Sequence, residues 1–237
     1  RTEGHPLFLE ETLRFMMEGR NALALDPVGD DPRLLTTIPS GVREVIGKRL
    51  NRLSTSASRL LSIAACIGRS FDLELLAQLA ADKSEDEVLD ALEEALAVHL
   101  IEAVPQTHQF RFSHALIRET LYDEMLGLRR SRLHLRISEL LEQRHGTDDA
   151  MALTQLAYHF SEAGPGAAAK ALAYARRSAE HAVQLLAFEE AARQYRLALQ
   201  LQQQHFAKDA PQRCALLLGL GQTELSIGAG EPARLAY

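Results

Sequence analysis

A chain of 237 residues is long enough for two ordinary domains, and its 46% hydrophobic residues suffice to bury a core in each. An aromatic content of 5% without Trp, beside abundant Ala and Leu, suits helices packed through small residues and argues against aromatic stacking platforms. A formal charge of −6 repels phosphate, so nucleic acid would have to be met by a local basic patch. The two cysteines, Cys66 and Cys214, are too far apart for a CxxC redox pair or a zinc-ligand spacing. No run approaches the roughly 18 to 20 apolar residues of a membrane span, and no leader pattern opens the chain, so a reducing cytoplasm is the expected setting. The start at Arg1 without an initiator Met, and the stop at Tyr237 inside a helical pattern, read as a piece of a longer protein.

Pro6 to Glu18 is amphipathic, with Pro at the first helical position, and is expected to be a helix. Asn21 to Thr37, punctuated by Pro27, Gly29 and Pro32, reads as a linker. A second helix is predicted from Pro39-Ser40 through Leu53, and a third is capped by Ser54 and stopped by Gly68. Phe71 to Ala80 reads as a short helix with Asp72 as its cap; Ser84 and Glu87 form a capping box opening a helix to about Val98. The period then changes. His99–Val104 and Gln109–Phe112 alternate around Pro105-Gln106-Thr107-His108, the pattern of a hairpin. Ser113 is expected to cap a helix reaching Met125, followed by a basic helix from about Leu128 to Arg144 and a stop at Gly146. Helices on either side of one hairpin predict a winged helix.

From Thr147 the pattern is helical throughout, in segments over Asp149–Ala163, Ala167–Leu186, Phe188–Gln204 and Pro211–Ile227. Ala191, Tyr195 and Ala198 fit the second helix of a tetratricopeptide repeat, and Leu217, Leu220, Gly221 and Ala233 fit positions of the next. Ala175, Ser178, Ala179 and Ala182 are smaller than the consensus, and the connection His205–Ala210 stretches the period, so the repeats are degenerate. The expected fold is mainly α: the end of a lid subdomain over 1–20, a linker over 21–38, a winged-helix domain with one β-hairpin over 39–146, and an α-solenoid of tetratricopeptide-like repeats over 147–237.

No catalytic constellation is present. Gly41–Arg49 approaches a P-loop, but its glycines are misspaced, Arg49 replaces the hydroxyl residue, and the segment reads as helix. Ser-His-Asp, HExxH, paired-Cys and GxSxG arrangements are all missing, so no catalytic or metal-ligating residue is assigned.

Two segments resemble one family. Gly4-His5-Pro6-Leu7-Phe8-Leu9-Glu10-Glu11 resembles the G-N-P-F-F-x-E-E stretch of bacterial signal-transduction ATPases of the STAND class, and the G-L-P-L motif of related immune receptors. Phe110-Arg111-Phe112-Ser113-His114-Ala115-Leu116-Ile117-Arg118-Glu119 resembles their F-x-F-x-H-a-L-I-R-E segment and the receptors' M-H-D-L-L-R motif. With the repeats that follow, the resemblance covers almost the whole chain. It implies that Pro6 packs near the adenine of bound nucleotide and that His114 reaches the β-phosphate of ADP, latching the winged helix onto an upstream P-loop domain. ATP or ADP is then the cofactor of the parent protein. The parent would belong with LuxR-type transcription activators or cyclase-linked ATPases, and a protein or small-molecule effector would bind the repeats. A nucleotide-dependent oligomer is a further expectation. Ala115 stands where the receptors have Asp, and His5 where the bacterial family has Asn, so the match is not complete.

Plainer readings stand beside these. Pro6 is also an ordinary first residue of a helix, and His114 an ordinary half-exposed residue near a cap. An interaction scaffold built on helical repeats, indifferent to nucleotide, is the alternative function. DNA binding is disfavoured, because the helix before the hairpin carries Glu85, Asp86, Glu87, Asp90, Glu93 and Glu94 and no cation after Lys83. Arg129, Arg130, Arg132 and Arg136 form the competing basic patch, read as a solvated or interdomain ion-pair surface.

Overall fold

A computed structural model describes residues 46–146, 149–150 and 152–228; Pro6 and the helix expected around it lie outside the described residues. The chain divides into two units, Arg1–Lys48 and Arg49–Tyr237, and every element from α1 onward belongs to the second. Residues 46–50 are helical, so Gly47, Lys48 and Arg49 do not form a phosphate-cradling loop.

Ser54 starts α1 (Thr55–Ile67) by accepting the Ala57 N–H on its hydroxyl oxygen. Its own N–H and hydroxyl donate to the Glu94 carboxylate, at 2.5 and 2.7 Å, which ties the start of α1 to α3 (Glu85–Ala97). Along α1 the spacing of Ala57, Leu60, Leu61, Ala64 and Ala65 presents one apolar stripe, and all five are fully buried. The small residues among them let neighbouring helices approach closely. Between α1 and α3 lies α2 (Leu73–Leu79), whose Asp72 cap accepts from the Leu75 N–H as the sequence predicts. The capping box of α3 is also present, with Ser84 and Glu87 bonded reciprocally.

The segment before α2 differs from its sequence reading. Ser70–Asp72 is a strand, β1, and not the first turn of a helix. It pairs antiparallel with β3 (Gln109–Phe112), which also pairs with β2 (Ile101–Ala103), giving a three-stranded sheet in the order β1-β3-β2 where a lone hairpin was expected. The cause is a partner distant in sequence: Phe71 sits opposite Phe110 with their rings stacked at 5.9 Å, and Phe112 is buried beneath. Local periodicity cannot register such a pairing.

Beyond the sheet come α4 (Ala115–Asp123) and α5 (Gly127–His145), the latter stopped by Gly146 in the left-handed region at φ 72°, where a side chain would be strained. The remaining helices are α6 (Leu153–Glu162), α7 (Ala168–Gln184), α8 (Phe188–His205) and α9 (Ala210–Ile227). Each packs on the next, and a short 3₁₀ turn, Pro165–Ala167, leads into α7. One continuous core runs from Cys66 and Leu75 through Ile137, Leu156, Phe160 and Ala175 to Leu216, so helices before and after Gly146 share it. Full burial of a Leu or Phe such as Leu156 or Phe160 contributes about 1.5–3 kcal/mol. Described as a whole, the chain is mainly helical with one small sheet, and no described helix is long and apolar enough to cross a membrane.

Among the described glycines Gly219 of α9 is the one most tightly covered: an added Cβ would lie 2.5 Å from the Tyr195 ring of α8. A helical Gly→Ala change ordinarily stabilises by about 0.5–1 kcal/mol. In the wild-type background Gly219→Ala should instead destabilise, by about 1–3 kcal/mol, because the Tyr195 ring must move. In a Tyr195→Ala background the same substitution should stabilise, and denaturant unfolding of the four chains measures this change of sign.

Candidate functional site

His114 sits where β3 hands the chain to α4. The preceding Ser113 does not cap that helix, contrary to the sequence reading: its hydroxyl donates to the carbonyls of His99 and Leu100, at 2.8 and 3.1 Å. Those two bonds fasten the start of α4 to the entry of β2. The cap falls to His114, extended at φ −142° and ψ 142°, whose Nδ1 accepts the Leu116 N–H at 3.2 Å. A nitrogen that accepts carries no proton, so the neutral ring holds its proton on Nε2. Nε2 has no hydrogen-bond partner among the described residues, and the side chain is half-buried. The cap therefore leaves a ring N–H donor whose tautomer the backbone has already fixed.

One turn along, Arg118 donates its Nε to the Ala65 carbonyl at the end of α1, at 3.1 Å, and lies over the Tyr122 ring. That bond holds α4 to α1. Ala115, exposed at the first helical position, adds no polar group. Across the hairpin Arg111 is paired with Glu102, opposite it in register. Of the two expected nucleotide contacts, His114 has a defined position and Pro6 lies outside the described residues.

An open cleft of about 750 Å³ lies between α2, the start of α3 and the β2–β3 turn, and His114 does not line it. Arg144 forms part of its wall but is held by Asp72 at 3.2 Å and Glu74 at 2.8 Å. Two carboxylates on one guanidinium leave little positive field for an anion. No group of three or more His, Cys, Asp or Glu among the described residues could hold a metal ion.

A polar chain invisible in the sequence runs through the junction of α4, α5 and α6. His134 and His159 are buried, with Nδ1 facing Nδ1 at 2.9 Å. His134 Nε2 lies 3.0 Å from the Tyr122 hydroxyl, which donates to Glu162 at 3.4 Å. One proton arrangement satisfies all three contacts: His159 donates to His134, His134 to Tyr122, and Tyr122 to Glu162. It needs the His134 ring neutral, since its Nδ1 accepts. Burial holds both imidazoles well below the ordinary histidine range, helped by Arg118 and Arg130 beside His134 and by the neighbouring His134 and Arg118 at His159. Burial also pushes the Cys66 thiol, packed near Met125 at the same junction, up to about 11, so it is no nucleophile. The one sequence signal for this chain was two histidines at apolar positions of amphipathic helices, and such residues are usually plain core.

No family model matches the sequence, and no solved structure matches it. An uncharacterized protein of Rhizobium meliloti (strain 1021) is 29% identical over 167 residues, which is 68% of this chain and 16% of that protein. The chain thus spans less than a fifth of the curated relative it matches.

The histidine pair predicts a pH dependence of stability. Both folded-state pKa values lie below the unfolded value of about 6.5, so below that pH the unfolded chain binds protons that the folded chain refuses. Stability should be full above about pH 6.5 and fall as pH drops toward the folded values. Unfolding free energies at about pH 7 and 5.5 should differ by roughly 1 kcal/mol or more, and a His134→Gln, His159→Gln double variant should flatten the slope.

Proposed function

We propose that this chain is a regulatory segment of a multidomain signal-transduction ATPase of the STAND class, with His114 as its nucleotide-state latch. In this reading α1 to α5 with the sheet are a winged helix that closes over an upstream P-loop domain, and residues 147–237 are degenerate tetratricopeptide-like repeats that bind a partner or effector. The observation that carries the reading is the His114 cap. The segment that resembles the family's histidine motif folds as a strand end, a cap and a first helical turn, and it leaves Nε2–H as a fixed, unspent donor. A preset donor beside the amides of a helix start suits a phosphate oxygen. The successive packing of α6 to α9 and the length of the Rhizobium meliloti relative also favour a segment of a larger assembly.

The mechanism is a population shift. With ADP bound, the His114 donor adds a charge-assisted hydrogen bond to the closed arrangement, about 1.5–3 kcal/mol. Loss of ADP removes that bond, and effector binding at the repeats then competes with a weaker latch. Pro6 belongs to the same proposal as the adenine neighbour. The parent protein binds ATP and ADP in a cytoplasmic setting, and its output is transcriptional or cyclase-linked.

The test is a pair of substitutions in the full-length parent protein. Asn is a good helix cap but lacks the imidazole, so His114→Asn should keep thermal stability within about 1 kcal/mol of wild type. It should nonetheless release ADP about 10- to 100-fold more readily, the equivalent of the lost hydrogen bond. His114→Ala should lose both cap and nucleotide. Unchanged ADP retention in His114→Asn would leave the nucleotide-independent scaffold as the better reading.

A further inference from the structure

The helix that His114 caps is held only lightly by apolar packing. Of the nine residues of α4 only Ile117 and Leu121 are buried, whereas α1 buries six of its thirteen. It packs chiefly on α1 and β3. Polar bonds fix it at three points along its length. At its start the Ser113 hydroxyl donates to the His99 and Leu100 carbonyls, and in its middle Arg118 donates to the Ala65 carbonyl of α1. The third point is Tyr122 at the far end, whose hydroxyl lies 3.0 Å from His134 Nε2 on α5 and donates to Glu162 on α6 at 3.4 Å. Arg130 of α5 donates to the Tyr122 carbonyl and, with Arg118, stands over the Tyr122 ring, at 4.9 and 5.6 Å.

His134 continues the series to His159, Nδ1 to Nδ1 at 2.9 Å. Tyr122 is therefore tied to α6 twice, directly through Glu162 and indirectly through the two imidazoles. His159 and Glu162 stand one turn apart on α6, the first helix of the region read as repeats. His114 and Tyr122 stand at opposite ends of α4, about 12 Å apart along its axis. A helix of two turns is stiff, so a displacement imposed on one end reaches the other. With little buried apolar surface and polar ties at both ends, α4 is an element that can shift at low cost.

We propose that α4 couples the repeats to the His114 latch: a displacement of α6 acts on the Tyr122 hydroxyl through Glu162 and His134, and α4 carries it to the cap. The proposal rests on the nucleotide reading of His114 and names how that site is regulated. With the series intact, α4 is seated and the cap holds the Leu116 N–H. When α6 moves away, the hydroxyl loses its partners, and α4 is left on its ties to Ala65 and to the His99 and Leu100 carbonyls. The Nε2 donor then leaves the place from which it would meet a phosphate oxygen. The change is a shift of population and needs no new contact. Tyr122 is thus a positioning residue that acts through His114. A second polar tie joins the same two regions without touching α4: Glu142 of α5 accepts from Lys170 and Tyr174 of α7, at 2.6 and 2.5 Å. Breaking that tie loosens α5 from the repeats and leaves Tyr122 alone, which makes it the internal control.

The experiment has two arms. In the 237-residue chain without nucleotide, nitrogen-15 shifts of the His114 ring and of the Leu116 amide report the cap. Tyr122→Phe, which keeps the ring beneath both guanidinium groups, and His159→Gln, which changes α6 alone, should each move these resonances. Glu142→Ala should leave them where they are. In the full-length parent protein, Tyr122→Phe and His159→Gln should each speed ADP release about 2- to 10-fold, the equivalent of one lost hydrogen bond. Added to His114→Asn, neither should speed release further, because both act through His114; a merely structural role would give additive effects. Resonances that do not move in either variant, with native helical circular dichroism in both, would overturn the proposal. An equal response to Glu142→Ala, or additive effects in the double variants, would overturn it too. If His114→Asn by itself leaves ADP release unchanged, the latch reading falls, and the resonances of the chain alone still decide whether α4 couples α6 to the cap.

Discussion

The burial of α1 is the constraint on which the rest depends. Its fully buried stripe, Ala57, Leu60, Leu61, Ala64 and Ala65, is the surface on which α2, α3, α4 and α5 are assembled. Small side chains stand beside leucines along it, so four helices can pack closely on one short helix. Its two ends are fastened by polar bonds to distant parts of the chain: the Ser54 cap to Glu94 of α3, and the Ala65 carbonyl to Arg118 of α4. The second bond matters for the proposed latch. It fixes α4 in place, and with the Ser113 hydroxyl on the His99 and Leu100 carbonyls it sets where the His114 ring can stand.

Much of this was legible because it is local chemistry. The Ser84–Glu87 capping box, the Asp72 and Ser54 caps and the Gly146 stop each rest on contacts within four residues, and each is where the sequence places it. What was not legible depends on partners far along the chain. β1 exists because Phe71 finds Phe110, and Ser113 yields the cap to His114 because its hydroxyl has carbonyls 13 and 14 residues back to bond. The pair of His134 and His159 is joined only once α5 and α6 pack, and nothing in the spacing of either helix announces it. Composition gave the helical class; topology supplied the third strand.

The same fold distributes polar groups into two kinds of place. Inside, His159, His134, Tyr122 and Glu162 are hydrogen-bonded in series, and burial holds both imidazoles below the ordinary histidine range, which makes the series a fastening between α4, α5 and α6. At the surface, His114 Nε2 has no hydrogen-bond partner among the described residues. In the proposed reading, a donor left free on a rigid element is what a regulatory module would offer to nucleotide.

The central claim is that a backbone cap sets the His114 tautomer and so presents a donor before any ligand arrives. Nitrogen-15 chemical shifts of the His114 ring in the neutral form measure this directly. The account predicts an Nε2–H tautomer with Nδ1 at an acceptor shift, coupled to the Leu116 amide. A ring that carries its proton on Nδ1, or that averages freely between the two tautomers, would contradict it.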